Sequence, residues 1–502
     1  MRNAILGTHD IARCDRFAMA HGVAGTELME AAGAAVTEAI ERRWAARPTL
    51  ILCGPGNNGG DGYVVARHLA AHGWPVTLAS LVDVDQLKGD ARWACQHWSG
   101  EVRPAEAVDP TAFALIVDAM FGAGLSRGLD GLAADLVRQC NQSDAVRVAI
   151  DLPSGLSGDL VALDGPVFEA DLSVTFHRLK LAHVLQAGRT FCGDVVCADI
   201  GIPDGWQAQV QPVARENVPG LWQRALPESG AGTHKHEKGR LAVFSGPAGS
   251  TGAARLAAMA GLRSGAGLVT VLSPASAMTE NAEQLTAIML REIGEPAAQA
   301  LGALRAGAAV MGPAYGTGPV TREHVLDALG GKVPLVLDAD ALSSFEHHGT
   351  DLFAALRRDD VLTPHVGEFR RLFPGLLEDA QNKIEAVRLA AEMAGCVVLL
   401  KGPDTVVSAP GQIPVVNRHA SPTLATAGSG DVLAGLIAGL VVQGMDAFLA
   451  TCAAAWLHGD AGLRLGSGLV AEDLPQALAH SLAYRHQARR RAQALERVSN
   501  QR

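Results

Sequence analysis

Along most of this chain, short apolar runs end in glycine-rich loops that pass directly into helical sequence. That order prescribes a parallel sheet with helices on both faces, because parallel neighbours need a crossover and a helix supplies it. In the first half the strand-like runs are Thr49–Cys53, Val76–Leu81, Ala114–Asp118 and Val146–Leu152. In the second they are Leu241–Phe244, Gly267–Leu272, Ala308–Gly312, Pro334–Leu337 and Val397–Lys401. Two helices are expected before the first strand, with apolar residues at helical spacing over Met19–Ile40. The alternation dissolves near Gly201, where Pro203, Pro212, Pro219, Pro227 and the polar run GAGTHKHEKG intervene, and it restarts at RLAVFSG. The 502 residues exceed one ordinary domain. The domain junction is expected within Pro212–Ser229, and no short-period repeat is present.

Composition narrows the function classes. The chain is 48% hydrophobic and 4% aromatic, with 56 glycines, which suits an Ala/Gly-rich α/β protein. A net charge of -10 argues against broad nucleic-acid binding. The basic tail Tyr484–Arg502, which contains RHQARRR, reads as a solvated helix end. The eight cysteines are scattered without a C-x-x-C pair, as expected of free thiols in a reducing cytoplasm. No secretory signal is seen at the N-terminus, and the longest apolar run, Val432–Val442, is short of the ~20 residues that span a bilayer. A cytoplasmic enzyme without a membrane segment is the expectation.

Polar residues collect where strands end, the place where open α/β sheets bind ligands. Gly54–Leu69, GPGNNGGDGYVVARHL, satisfies the dinucleotide fingerprint G-x-G-x-x-G and leads into helical sequence at Tyr63–Ala71. Its glycines and helix N-terminus can receive a phosphate. Asn57, Asn58 and Asp61 complicate that reading. A phosphate cradle does not need them, and Asp61 would repel an anion. Such oxygens suit a hard cation or substrate hydroxyls, and they also serve as ordinary turn formers and caps. LIVDAMFGAGLSRG (Leu115–Gly128) and DLPSGLSGD (Asp151–Asp159) are further strand-end loops. Asn58, Asp118 and Ser154 can converge on one cation through oxygens alone, and a single carboxylate suits a monovalent ion better than Mg²⁺.

These motifs, in this order and spacing, resemble the N-terminal domain of NAD(P)H-hydrate epimerases over roughly residues 1–215, including the lead-in GTELMEAAGAAV. The resemblance implies a Rossmann-like three-layer αβα domain. It implies potassium held by Asn58, Asp118 and Ser154. It places the hydrated nicotinamide nucleotide against Asn57, Asn58, Gly59, Gly60 and Asp61, against Gly122, Ala123, Gly124, Leu125, Ser126, Arg127 and Gly128, and against Asp151. Asp151 is either an acid–base group or a hydrogen-bonding partner of the ribose or ring amide. In TFHRLKLAH (Thr175–His183), Lys180 matches a family lysine that follows a strand, with bulky His177 and Arg178 before it.

The second half carries KGRLAVFSGPAGSTGAA, VMGPAYG, LDADAL, TPHVGEF, LLKGPDTVV and ATAGSGDVLAG in order. GSGD opens the apolar helix VLAGLIAGL, so its N–H groups face an anion while Asp431 sits beside them. A carboxylate there is either a helix cap or a general base at a transferring phosphoryl group. His365 is either a connector or a ligand contact, with Glu368 placed to orient it or to help hold Mg²⁺. The set resembles the C-terminal domain of ADP/ATP-dependent NAD(P)H-hydrate dehydratases, a ribokinase-like α/β fold, over about residues 225–495. By that resemblance Lys401, Gly402, Pro403, Asp404, Thr405 and Gly430 contact the adenine nucleotide, and Ala253, Gly312, His365 and Asp431 face the hydrate. Ala314-Tyr315 departs from the usual Gly-Leu.

The resemblance as a whole implies a repair enzyme for NADH and NADPH hydrates (NADHX and NADPHX). The first domain interconverts R and S epimers. The second removes water from the S form with ADP, or ATP, as phosphate donor and with Mg²⁺, releasing AMP and phosphate in the ADP case. A homo-oligomer is implied. Two other readings stand beside it: a ribokinase-like small-molecule kinase, and a first domain that only binds nucleotides.

Overall fold

The computed structural model describes residues 3–161, 163–228 and 234–499. Ser229, the start of GAGTHKHEKG and the end of the basic tail lie outside the described residues. The chain divides into two compact units, Met1–Ala214 and Arg215–Arg502.

The first unit is built on a parallel sheet ordered Val102–Pro104, Val76–Ser80, Thr49–Cys53, Leu115–Ala119, Val146–Ile150, Leu172–Phe176 and Asp194–Ala198. The central strands Thr49–Cys53, Leu115–Ala119 and Leu172–Phe176 bury both faces, which is why they read as nearly continuous apolar runs. Leu50 and Leu52 pack with Ile116 and Val137 on one side. Ile51 and Cys53 pack with Val64 and Leu69 on the other. Chain order runs outward in one direction from Thr49–Cys53 and then resumes on its other side at Leu115–Ala119. The carboxyl ends of those two strands therefore flank a crevice.

The second unit has a mixed sheet. In spatial order its strands are Ala214–Glu216, Val415–Asn417, Thr405–Ser408, Val397–Leu400, Val361–Leu362, Leu335–Leu337, Ala308–Met311, Arg240–Phe244, Leu268–Ser273 and Met289–Glu292. From Val397–Leu400 onward to Met289–Glu292 the pairing is parallel. KGPDT is the turn by which Val397–Leu400 pairs antiparallel with Thr405–Ser408.

The sequence expectations hold for the main strands but differ at several edges. The lead-in is two helices, as read from the sequence, Thr8–Ala20 and Gly25–Glu41, but Met19–Ile40 straddles the break between them, where Gly22 takes φ 91°. The helix after GPG begins at Asn57, so NNGGD is its first turn rather than a loop. Asp118 lies within strand Leu115–Ala119, not past its end. Among the described residues, no helix is long and apolar enough to cross a membrane.

Helix Ser429–Val441 crosses helix Gly252–Arg263 at small residues, and this crossing places the GSGD turn. A Cβ on Gly435 would stand 2.0 Å from the Ala257 carbonyl oxygen. Gly435→Ala should therefore force the helices apart and cost about 1–3 kcal/mol, read as a lower urea midpoint.

Candidate functional sites

In the first unit a cavity of about 760 Å³ opens at the crevice, lined by the helix Thr8–Ala20, the Asn57 turn, the loop after Met120, and Asp151 and Lys180. Asp151 follows strand Val146–Ile150 in the left-handed region, φ 65°. Its Oδ1 accepts from Lys180 Nζ at 2.6 Å and from Thr175 Oγ1 at 2.8 Å, and its Oδ2 accepts from the Ala123 N–H at 2.9 Å. Lys180 Nζ also donates to Thr175 Oγ1 at 2.7 Å. Lys180 is 1% exposed. Below it, His183 Nδ1 accepts from the Lys180 N–H, which leaves Nε2 to donate to the Asp151 carbonyl at 2.9 Å. Burial raises the proton affinity of Asp151, but the Lys180 charge and hydrogen bond outweigh it and hold the carboxyl down at about 2. Asp151 therefore rests as an anion.

Asp118 and Ser154 meet in the strand-end layer. Ser154 donates from N and Oγ to Asp118, each at 2.7 Å, and the Met120 N–H adds a third bond at 3.1 Å. Burial nevertheless pushes the Asp118 carboxyl up to about 6. Asn58 comes to the same corner: a Cβ on Gly122 would stand 2.8 Å from Asn58 Oδ1 and 3.1 Å from Asp151 Oδ2. The buried Asn58 Nδ2 has no hydrogen-bond partner among the described residues. Among the described residues no three His, Cys, Asp or Glu side chains cluster to hold a metal. The oxygen set here, one carboxylate with neutral oxygens, fits a monovalent cation rather than a divalent one.

Asn57, Asn58, Asp61 and the stretch Gly122–Arg127 line the cavity. Gly59, Gly60 and Gly128 do not. A Cβ on Gly59 would meet the Gly54 carbonyl oxygen at 2.0 Å, one on Gly60 the Met29 methyl at 2.5 Å, and one on Gly128 the Asp164 carbonyl oxygen at 1.8 Å. These glycines permit close packing behind the wall.

In the second unit Asp431 stands in the first turn of helix Ser429–Val441, after Gly428 in the left-handed region. Gly430 faces Lys401 and Asp338: a Cβ on it would lie 3.4 Å from Lys401 Nζ and 3.6 Å from Asp338 Oδ2. Lys401 Nζ donates to Asp338 Oδ1 at 2.6 Å and lies 4.0 Å from Glu368. Burial works against the Lys401 charge, but Asp338 and Glu368 more than compensate and raise its proton affinity. Burial and the negative charge of Asp338 push the Asp431 carboxyl up to about 6, against the pull of Lys401.

His365 caps helix Val366–Leu372. Its Nδ1 accepts from the N–H groups of Gly367 and Glu368 at 2.9 and 3.2 Å, and Glu368 accepts from the His365 N–H at 2.8 Å. Both readings of His365 meet here: the ring is a cap, Glu368 orients it, and half of it stays exposed. The Lys401 N–H donates to the Pro364 carbonyl at 2.9 Å and joins this loop to KGPDT. Within KGPDT, Thr405 Oγ1 donates to the Gly402 carbonyl at 2.8 Å, while the Asp404 carboxylate is held by Lys383 at 2.5 Å. Gly312 takes φ 122° with no room for a side chain beside the Asp338 carbonyl. Ala253 is in the first turn of helix Gly252–Arg263. The Tyr315 ring packs edge-on to Phe244, and its hydroxyl hydrogen bonds His324 at 3.0 Å.

Sequence reasoning missed Asp338 and His458. Asp338 is the first aspartate of LDADAL, and its position just past a strand was the available signal. His458 lies buried in an apolar helix and pairs with Ser429 Oγ at 3.1 Å. Burial holds its ring neutral, at about 4.

A family described as YjeF-related protein N-terminus matches residues 25–182, and one described as NAD(P)H-hydrate dehydratase matches residues 241–483. The bifunctional NAD(P)H-hydrate repair enzyme of Moorella thermoacetica is 38% identical over 463 residues, 87% of each chain. The Escherichia coli enzyme of the same description is 32% identical, over 89% of this chain and 88% of its own. Among solved structures, the ADP/ATP-dependent NAD(P)H-hydrate dehydratase of Bacillus subtilis is similar over 54% of this chain and 99% of its own, at 24% identity and a TM-score of 0.47. The chain belongs to the bifunctional NAD(P)H-hydrate repair enzymes, which join an epimerase domain to a dehydratase domain.

Proposed function

We propose that Asp431 is the general base of an ADP-dependent dehydration of the S hydrate. The carrying observation is its placement: a carboxylate at a helix N-terminus beside Lys401 and Asp338, with its proton affinity raised toward neutrality. Asp431 takes the proton from the substrate hydroxyl. The hydroxyl oxygen forms a bond to the terminal phosphorus of ADP, and AMP leaves with the electrons of the broken P–O bond. The new phosphate then leaves as the ring nitrogen lone pair closes a C=N⁺ bond, and loss of a proton from the neighbouring carbon to water restores the ring double bond. Lys401 and the N–H groups of the GSGD turn neutralise the transferring phosphoryl. His365, Gly312 and Ala253 border the hydrate, and Lys401–Thr405 with Gly430 border the nucleotide. Mg²⁺ would arrive with the phosphates, near Glu368, because no protein cage for it exists among the described residues. ATP remains the other donor of the same chemistry.

In the first unit the reading assigns R/S interconversion to the cavity at Asp151 and Lys180, with potassium at Asn58, Asp118 and Ser154. The walls at Asn57, Asn58 and Asp61 and at Gly122–Arg127 hold the nucleotide. Lys180 commits N–H groups to Asp151 and Thr175, and an ammonium carries three, so one is left for a substrate oxygen. All eight cysteines are free thiols, which supports a cytoplasmic setting. The family resemblance supports a homo-oligomer.

The test of the whole is recovery of reduced-nicotinamide absorbance from mixed R and S hydrates with ADP, Mg²⁺ and K⁺. Full recovery, faster than spontaneous epimerisation, is expected; recovery that stops at the S fraction removes the epimerase assignment. Asp431→Asn should lower kcat for dehydration by about 10²–10⁴-fold. The wild-type rate should fall as pH drops through about 6 and Asp431 takes up its proton; a flat profile down to pH ~5 refutes the base assignment. Lys180→Met should destabilise the first unit by about 3–5 kcal/mol, because it strands a buried carboxylate, and should abolish epimerisation. Replacing K⁺ with Li⁺ should slow epimerisation and leave S-hydrate dehydration by the other unit as the control.

A further inference from the structure

Epimerisation sets a demand that Asp151 alone does not meet. Hydration of an enamine puts the proton on the β-carbon and the hydroxyl on the carbon bound to nitrogen. Inverting that carbon through its iminium ion breaks its C–O bond and reforms it on the other face. The ring nitrogen lone pair closes a C=N⁺ bond as hydroxide departs, and the departing oxygen needs a proton. Water then adds to the opposite face, the electron pair returns to nitrogen, and the added water gives up a proton. Each face needs an acid–base group.

Asp151 can serve one face only. Its carboxylate is fixed by Lys180, Thr175 and the Ala123 N–H. The other titratable groups of the cavity wall offer less. Asp61 lies in helix Asn57–Ala71 on the wall that carries Asn58, and burial with the Asp151 charge pushes its carboxyl well above the usual range and keeps it protonated. Asp90 stands against Gly25, where a Cβ would lie 2.2 Å from its Oδ2. His9 has an exposed ring, the His177 ring packs edge-on to Trp206 at 4.8 Å, and Arg127 keeps its protons.

Asp15 differs. It lines the same cavity from a separate element, the helix Thr8–Ala20. That helix is anchored: the Thr8 N–H and Oγ1 donate to Asp159 at 3.0 and 2.5 Å, and Cys14 packs with Trp206 and Val210. The Asp15 carboxylate accepts no hydrogen bond from any described residue, so nothing holds it away from a ligand. Burial raises its proton affinity, Lys180 lowers it and the Asp151 charge raises it again, so it shares the field of both partners of the ion pair.

We propose that Asp15 is the second acid–base group of the epimerase site, acting on the ring face opposite Asp151. The proposal rests on the epimerase reading of this unit. In one direction Asp15 gives its proton to the departing hydroxyl, and Asp151, assisted by Lys180, takes a proton from the entering water. In the other direction the roles exchange, and proton exchange with solvent water resets the pair.

Asp15→Asn should lower kcat for epimerisation about 100-fold or more in both directions, with KM within about threefold. Dehydration of pure S hydrate by the same chain reports that it is folded. A kcat within about threefold of wild type overturns the proposal. Should Asp15→Asn not fold, Asp15→Glu takes its place. Its displaced carboxyl should cost at least about tenfold in kcat, and an unchanged kcat overturns the proposal equally. In ¹⁸O-labelled water each wild-type turnover should place the label on the carbinol carbon, and retention of the original oxygen also overturns it. A wild-type enzyme without epimerisation refutes instead the reading on which the proposal stands.

Discussion

Each site is organised around a lysine held at 2.6 Å by an aspartate just past a strand: the buried Lys180 on Asp151, and the partly buried Lys401 on Asp338. Taking such charges out of water is costly, and apolar residues of similar volume often serve stability as well or better. The pairs are therefore poor candidates for fold stabilisers and good ones for function. A lysine fixed by one carboxylate presents its remaining N–H groups in a set direction. Parallel sheets make this arrangement natural, because successive strands deliver their following residues to one edge.

The carboxylates around the two pairs are tuned in opposite senses. Asp151 receives a lysine, a threonine and a backbone N–H, and it remains an anion in spite of burial. Asp431 is likewise buried, yet Lys401 is already committed to Asp338, and the negative charge of that aspartate adds to the burial. The first carboxylate thus rests as an anion, and takes a proton only from a strong acid such as water newly added to an iminium carbon. The second is suited to exchanging a proton near neutral pH.

The motif-bearing loops were legible in the sequence because their cause is local. A strand buried on both faces must be apolar throughout, as Leu50–Cys53 is, and the chain must then turn, which calls for glycine and small polar residues. The helix start at Asn57 was hidden by its own glycines, which lower helix propensity yet are required where Gly59 meets the Gly54 carbonyl. Placing Gly59, Gly60 and Gly128 against the ligand followed from the same ambiguity: a glycine that admits a ligand and one that admits a neighbouring backbone look alike in sequence. Asp338 and His458 were missed for a different reason. Their partners, Lys401 and Ser429, are distant in the chain, and only the folded sheet brings them together.

The Ala314-Tyr315 departure shows how the fold absorbs an unusual choice. Ala314 sits at φ 50°, a conformation that costs a residue with a Cβ roughly 1–2 kcal/mol. Its carbonyl oxygen lies 2.0 Å from where a Cβ on Gly246 would be, so the two glycine loops touch backbone to backbone. Relaxing Ala314 would break that contact. The ring that follows is held by Phe244 and His324. Burial pushes its hydroxyl up to about 12 and keeps it neutral. The methyl thus costs local strain, while the tyrosine is accommodated by packing on the strand end beside it. On this geometry the departure acts on the shape and rigidity of the loop, and the charges around Asp431 are left as they are.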